Sequence, residues 1–134
     1  MENCKTPMLR VLVVEPLRAP YSQELPDTLE EMQKLVGGTI QAIYPFEEPV
    51  ALICHDEGKL LGLPPNRALR DENGVLYDIV CGTFFLCAAP PDSDSFESLT
   101  EEQLERFQNH FAVPECFLLG RDRSVLVLPL EETI

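Results

Sequence analysis

The sequence predicts an α+β fold: one domain with a mixed, mainly antiparallel sheet and two helices packed on it. Three observations carry this prediction. Short β-branched runs closed by Pro, Gly or Asn-Gly outnumber the helical segments. Most of those runs are close neighbours along the chain, which suits hairpins and meanders. Only two segments combine apolar residues at helical spacing with capping signals at their ends.

Taken in order, residues 9–15 (Leu-Arg-Val-Leu-Val-Val-Glu) read as a strand stopped by Pro16. The run is apolar at nearly every position, so it is expected to be central and covered on both faces. Residues 22–25 read as a short edge strand. The first helix follows, with Asp27 expected as N-cap and Glu30 completing a capping box. Leu29, Met32, Leu35 and Val36 form its apolar stripe, and Gly37-Gly38 supply a left-handed stop.

Residues 39–44 and 50–54 read as strands, with residues 59–61 returning as a hairpin strand after the turn Asp56-Glu57-Gly58. The first strand, first helix and strand 39–44 are expected to form one right-handed parallel crossover. Residues 62–69 contain Pro64-Pro65 and read as a stiff loop, because consecutive prolines cannot donate to a ladder. Asp71-Glu72-Asn73-Gly74 is the strongest turn signal, with Asn-Gly suited to a type I′ hairpin. Strands at 75–77 and 83–88 follow, with Gly82 as a bulge between them. Thr100 and Gln103 form the capping box of a second helix, and Leu104, Phe107 and Phe111 make its buried stripe. Residues 116–119 and 124–128 close the chain as a strand pair around the turn 120–123.

The chain has 134 residues and is 45% hydrophobic, enough for one core. It is divided into a tail, 1–8, and a single domain, 9–134. No stretch reaches the roughly 18 apolar residues of a membrane helix. The first residues lack the basic-then-apolar order of a signal peptide. A cytoplasmic location is expected. The five cysteines are odd in number and form no CxxC pair, which argues against a disulfide framework or a zinc site. A formal net charge of −13 disfavours nucleic-acid phosphates and anionic membranes and favours basic partners.

The sequence offers no catalytic constellation. Cys54 and His55 are strand neighbours pointing to opposite faces, so they do not pair as nucleophile and base. Asp92, Asp94 and Glu97 lack the Gly and distal Glu of a calcium loop. There is no phosphate loop, nucleophile elbow or dinucleotide fingerprint. No metal, cofactor or catalytic residue is assigned.

The best candidate site is the Pro-Pro-Asn-Arg segment. Residues 59–91 hold three basic and three acidic residues, so they are neutral within a strongly acidic chain. The prolines stiffen the backbone that presents Asn66 and Arg67, and Arg binds carboxylate or phosphate through two parallel hydrogen bonds. Asn66, Arg67 and Arg70, together with Tyr44, are the candidate ligand-binding residues. The competing reading makes them structural: Arg67 pairs with a carboxylate such as Asp78, and Asn66 satisfies the loop backbone.

A series of short motifs carries a family resemblance. Leu12-Val13-Val14-Glu15-Pro16 opens it, followed by Leu35-Val36-Gly37-Gly38, Tyr44-Pro45 and the run GKLLGLPPNRAL over 58–69. Asp78, Gly82-Thr83-Phe84-Phe85 and Ser98-Leu99-Thr100 complete it in order. The series resembles domain-of-unknown-function family 3846, over about residues 9–111. That family occurs in bacteriophages, plasmids and integrative conjugative elements. The resemblance implies a mobile-element accessory protein and no particular reaction.

The expected function is therefore a non-enzymatic accessory protein that modulates a host factor or defence enzyme through an acidic surface. Its partner would be a host protein with a basic surface. The alternative is a protein that binds or sequesters a small anionic ligand, such as a nucleotide, at the Pro-Pro-Asn-Arg segment. An exposed strand edge is a route to a homodimer, but the sequence does not say which edge is exposed.

Overall fold

The computed structural model describes residues 7–130. The tail expected over 1–8, with Cys4, therefore lies mostly outside the described residues. The first strand, β1, spans Met8–Val14, and β2 spans Tyr21–Pro26. Helix α1 (Leu29–Val36) leads to β3 (Ile40–Ile43) and β4 (Val50–His55). Then come β5 (Pro65–Arg70), β6 (Leu76–Cys81) and β7 (Phe84–Ala88). Helix α2 (Glu101–His110) precedes the final pair, β8 (Glu115–Leu119) and β9 (Val125–Pro129).

Five strands form the main sheet in the order β2-β1-β7-β4-β3. Every neighbouring pair is antiparallel. Side chains alternate across the central strands and build two cores. Leu12, Val14, Leu52, Phe84 and Leu86 face one side, where Leu104, Phe107 and Phe111 of the α2 region and Leu69 and Val80 of the β5–β6 hairpin cover them. Val11, Val13, Ile53, Phe85 and Cys87 face the other, against Met32 and Val36 of α1. Burial on both faces explains why β1, β4 and β7 are apolar throughout.

Several sequence expectations need correction. The helix N-cap is Thr28, whose hydroxyl accepts from the Glu31 amide at 3.2 Å. Asp27 instead donates its backbone amide to the Pro7 carbonyl. No parallel crossover joins β1 to β3, because the intervening ladders make them antiparallel. The chain first doubles back as β2, and α1 then carries it to the opposite edge, where β3 runs parallel to β2.

Residues 59–61 form turns, not a returning strand: Leu61 N–H donates to the Glu57 carbonyl at 2.9 Å. Both sides of β4 are already occupied by β3 and β7, so a hairpin partner has no ladder to join. The supposed stiff loop at 62–69 contains β5, which begins on Pro65 itself. A proline that opens a strand needs no ladder donor there. The 71–74 turn is not type I′, since only Gly74, and not Asn73, has positive φ. The Asp71 carboxylate caps the turn instead, accepting from the Asn73 and Val75 amides.

Candidate functional site

The four residues singled out by sequence fall into different environments. Asn66 and Arg67 lie within β5 and are 0% and 2% exposed. The Asn66 amide nitrogen donates to the Val14 and Gly82 carbonyls at 2.8 and 2.9 Å, joining the ends of β1 and β6 to β5. Its carbonyl oxygen accepts from Arg67 Nη1 at 2.8 Å.

Among the described residues, no carboxylate pairs with the Arg67 guanidinium. Its Nε and Nη2 donate to the Phe111 carbonyl at 3.3 and 3.0 Å, and Nη2 also donates to the Arg18 carbonyl at 2.6 Å. Phe111 is the C-cap of α2. The partial negative charge of a helix C-terminus is about half an elementary charge, and it takes the place of a carboxylate here. Burial pushes the guanidinium pKa down, with Glu115 nearby opposing the shift. Arg67 is thus a clamp holding α2 and the β1–β2 connection onto β5. Asp78, the partner expected for Arg67, pairs with Lys59 instead.

Arg70 sits at the exposed end of β5 and donates to Glu115 at 3.0 Å. Arg67 and Arg70 do share one cavity of about 240 Å³, lined also by Asp71, His110, Glu115 and Pro129. Any anion entering it meets two carboxylates, one already holding Arg70. Tyr44 is 61% exposed and lines a separate cavity of about 270 Å³ with Pro90, Pro91 and Asp94. The four residues do not converge.

A larger cavity of about 370 Å³ holds Cys54, His55, Asp56, Lys59, Asp78 and Cys81. Burial, then the neighbouring Asp78 and Asp56, pushes the Cys54 thiol up to about 11. The Cys81 thiol is also raised, chiefly by burial. Both are therefore protonated at neutral pH and poor nucleophiles. His55 Nδ1 accepts from the Glu57 amide at 2.9 Å, which occupies its basic nitrogen. Among the described residues, no three His, Cys, Asp or Glu side chains gather as a metal ion requires.

His110 lies beside Arg70 at the rim of the 240 Å³ cavity, with its ring edge-on to Phe111 at 4.6 Å. Partial burial, then Arg70, lowers its pKa, against a raising effect of Glu115. The unfolded chain therefore takes up this proton at higher pH than the folded one. Stability should fall as pH drops from about 6.5, the ordinary histidine value. Urea midpoints measured between about pH 7 and 5 should decline less in His110→Gln than in the parent. Equal slopes in the two proteins would rule out this contribution.

The fold and its buried polar clamp define a small α+β domain whose single Pro-Asn-Arg strand ties a helix end and a loop to the sheet. The family model described as Domain of unknown function (DUF3846) matches residues 9–112, and the chain belongs to that family. No curated protein and no solved structure matches it. The match covers the clamp: Asn66, Arg67 and the helix end they hold all lie inside it, whereas β8 and β9 lie beyond it. No helix of the described residues is long and apolar enough to cross a membrane.

Proposed function

We propose that the protein is a non-enzymatic accessory protein of a phage or other mobile element, acting in the cytoplasm of its bacterial host. It would modulate a host factor or defence enzyme by docking on a basic surface of that partner. The observation that carries this reading is the stretch 92–105. Asp92, Asp94, Glu97, Glu101, Glu102 and Glu105 all lie there, exposed, with no basic residue among them. None takes part in the ion pairs found among the described residues, although Glu15, Glu24, Glu31, Glu48, Asp78 and Glu115 all do.

The stretch runs from a loop into the first turns of α2. Glu101 and Glu102 suit the positive end of the helix dipole. Glu105 gains nothing from that position, and it repels Glu101 four residues away, by about 0.2–0.5 kcal/mol. A surface selected only for solubility has no need of this repulsion. A basic partner would relieve it and give fast, salt-sensitive association.

The small-anion alternative has less support. Asn66 and Arg67 already use their polar groups on the protein's own backbone and on each other. The protonated thiols likewise favour a binding role over a catalytic one.

Capture from host lysate at about 50 and about 200 mM salt tests the proposal. The parent should retain a basic protein at low salt and lose most of it at the higher. The D92K/D94K/E105K variant, altered only at exposed positions, should bind at least about tenfold more weakly. Retention of no basic protein, or equal retention by the variant, would sink this reading.

A further inference from the structure

The β8–β9 hairpin is apolar on both faces and packed on little. Seven of the seventeen large hydrophobic residues left exposed among the described residues fall within 113–130. Strand register places Cys116 with Leu128 and Leu118 with Leu126 on one face. Leu118, Leu126 and Leu128 are 48%, 56% and 40% exposed. On the opposite side, Phe117, Leu119 and Val125 line a cavity of about 290 Å³ with Lys59, Pro65, Ile79 and Cys81, and Leu118 reaches its edge. Leu119 on that side is itself 77% exposed, so among the described residues the hairpin is partly open on both faces, and the leucine face is the one that sets three exposed leucines together.

We propose that this leucine face is a homodimer surface, packed against the same face of a second copy with the two hairpins antiparallel. Charge selects the occupant. Two copies each at −13 repel almost everywhere, but residues 113–130 carry Glu115 and Asp122 against Arg121 and Arg123 and sum to zero. The hairpin tip carries an excess of one positive charge, exposed Arg121 and Arg123 against Asp122, whose carboxylate stays ionised beside the Ser124 hydroxyl. The hairpin base carries Asp71, exposed Glu72 and Glu115 against buried Arg67 and Arg70, which pairs with Glu115, an excess of one negative charge. An antiparallel two-fold arrangement sets each basic tip at the other copy's acidic base, as a self-complementary interface requires.

The contact is face to face and not strand to strand. Leu130 donates to the Pro114 carbonyl and Gly120 to the Ser124 carbonyl, so even-numbered residues of β9 bond inward to β8. Val125, Val127 and Pro129 then point their backbone outward, and because Pro129 has no N–H, only Val125 and Val127 are left to donate, too few for an extended ladder with a further strand. A face built on three exposed leucines is small beside the roughly 800 Å² per partner of a stable interface. The dimer should accordingly be weak, with Kd on the order of 10–100 µM.

Analytical ultracentrifugation of the full chain from about 5 µM to about 1 mM tests this. The parent should pass from monomer to dimer. Leu126→Lys should remain monomeric throughout, with an unchanged circular dichroism spectrum. R121E/R123N, altered only at the tip, should weaken the dimer about tenfold, and adding Glu72→Arg should recover part of that loss. A parent that stays monomeric at 1 mM, or a Kd unchanged in Leu126→Lys, overturns the proposal. A Kd unchanged in R121E/R123N overturns the antiparallel arrangement.

Discussion

Arg67→Ala is expected to lower stability by about 3–5 kcal/mol, a large share of the roughly 5–15 kcal/mol that holds such a domain folded. The substitution removes the donors for the Phe111 and Arg18 carbonyls and for the Asn66 side-chain oxygen. Each buried acceptor left without a partner costs about 1–3 kcal/mol, and the space of a fully buried arginine is left unfilled. Arg67→Met fills most of that space but supplies no donor, so it should recover only part of the loss. Arg67→Lys keeps the charge but replaces a planar fork with a point donor, so it should fall between Ala and the parent. Urea denaturation with a shared m-value separates the three. A loss within about 0.5 kcal/mol for Arg67→Ala would show that the guanidinium is not structural and would return it to the list of ligand-binding residues.

This clamp marks where sequence reading reached and where it stopped. That Asn66-Arg67 was special was legible: a cation beside two prolines stands out in a chain of net charge −13. The competing structural reading had Asn66 satisfying the backbone of its own loop; its amide does serve backbone carbonyls, but those of Val14 and Gly82 outside that segment. The partner of Arg67 was not legible. A search for carboxylates cannot find a counter-charge made of helix carbonyls, since Phe111 contributes through its backbone and not through its side chain. One cue was available. A helix ending at Phe111 leaves orphan carbonyls, and α2 offers no glycine for a left-handed cap.

The sheet was legible wherever one strand's pattern sufficed. The apolar run of β1 announced burial on both faces, and the β8–β9 pair was marked by its turn. Strand order was not, because it depends on which neighbours are already taken. Residues 59–61 have a hairpin pattern yet stay in turns, since β4 has β3 on one side and β7 on the other. β5 was hidden for a local reason: Pro65 looks like a stop unless it is the first residue of the strand.

The Gly37-Gly38 pair gives the second large effect, because the two glycines do different work. Both were read as a left-handed helix stop. Only Gly37 is one, with φ of 91° and open space where a Cβ would lie. Gly37→Ala should cost about 1 kcal/mol, the usual penalty for alanine in that conformation. Gly38 has no such φ. It is small because His55 is pressed against it: an added Cβ would overlap His55 Nε2 and come within 3.0 Å of both flanking ring carbons. His55 cannot readily withdraw. It is only 8% exposed, its Nδ1 is held by the Glu57 amide, and the next residue's amide is bound to the Thr39 carbonyl. Gly38→Ala should therefore cost about 2–4 kcal/mol, as overpacking against a fixed group does. The cause is checked by a double-mutant cycle. In G38A/H55A the ring is gone, so the combined loss should be smaller than the sum of the single losses by about 0.5–3 kcal/mol. Strict additivity would mean that His55 is not what Gly38 makes room for, and that the Leu35-Val36-Gly37-Gly38 motif needs its second glycine for some other contact.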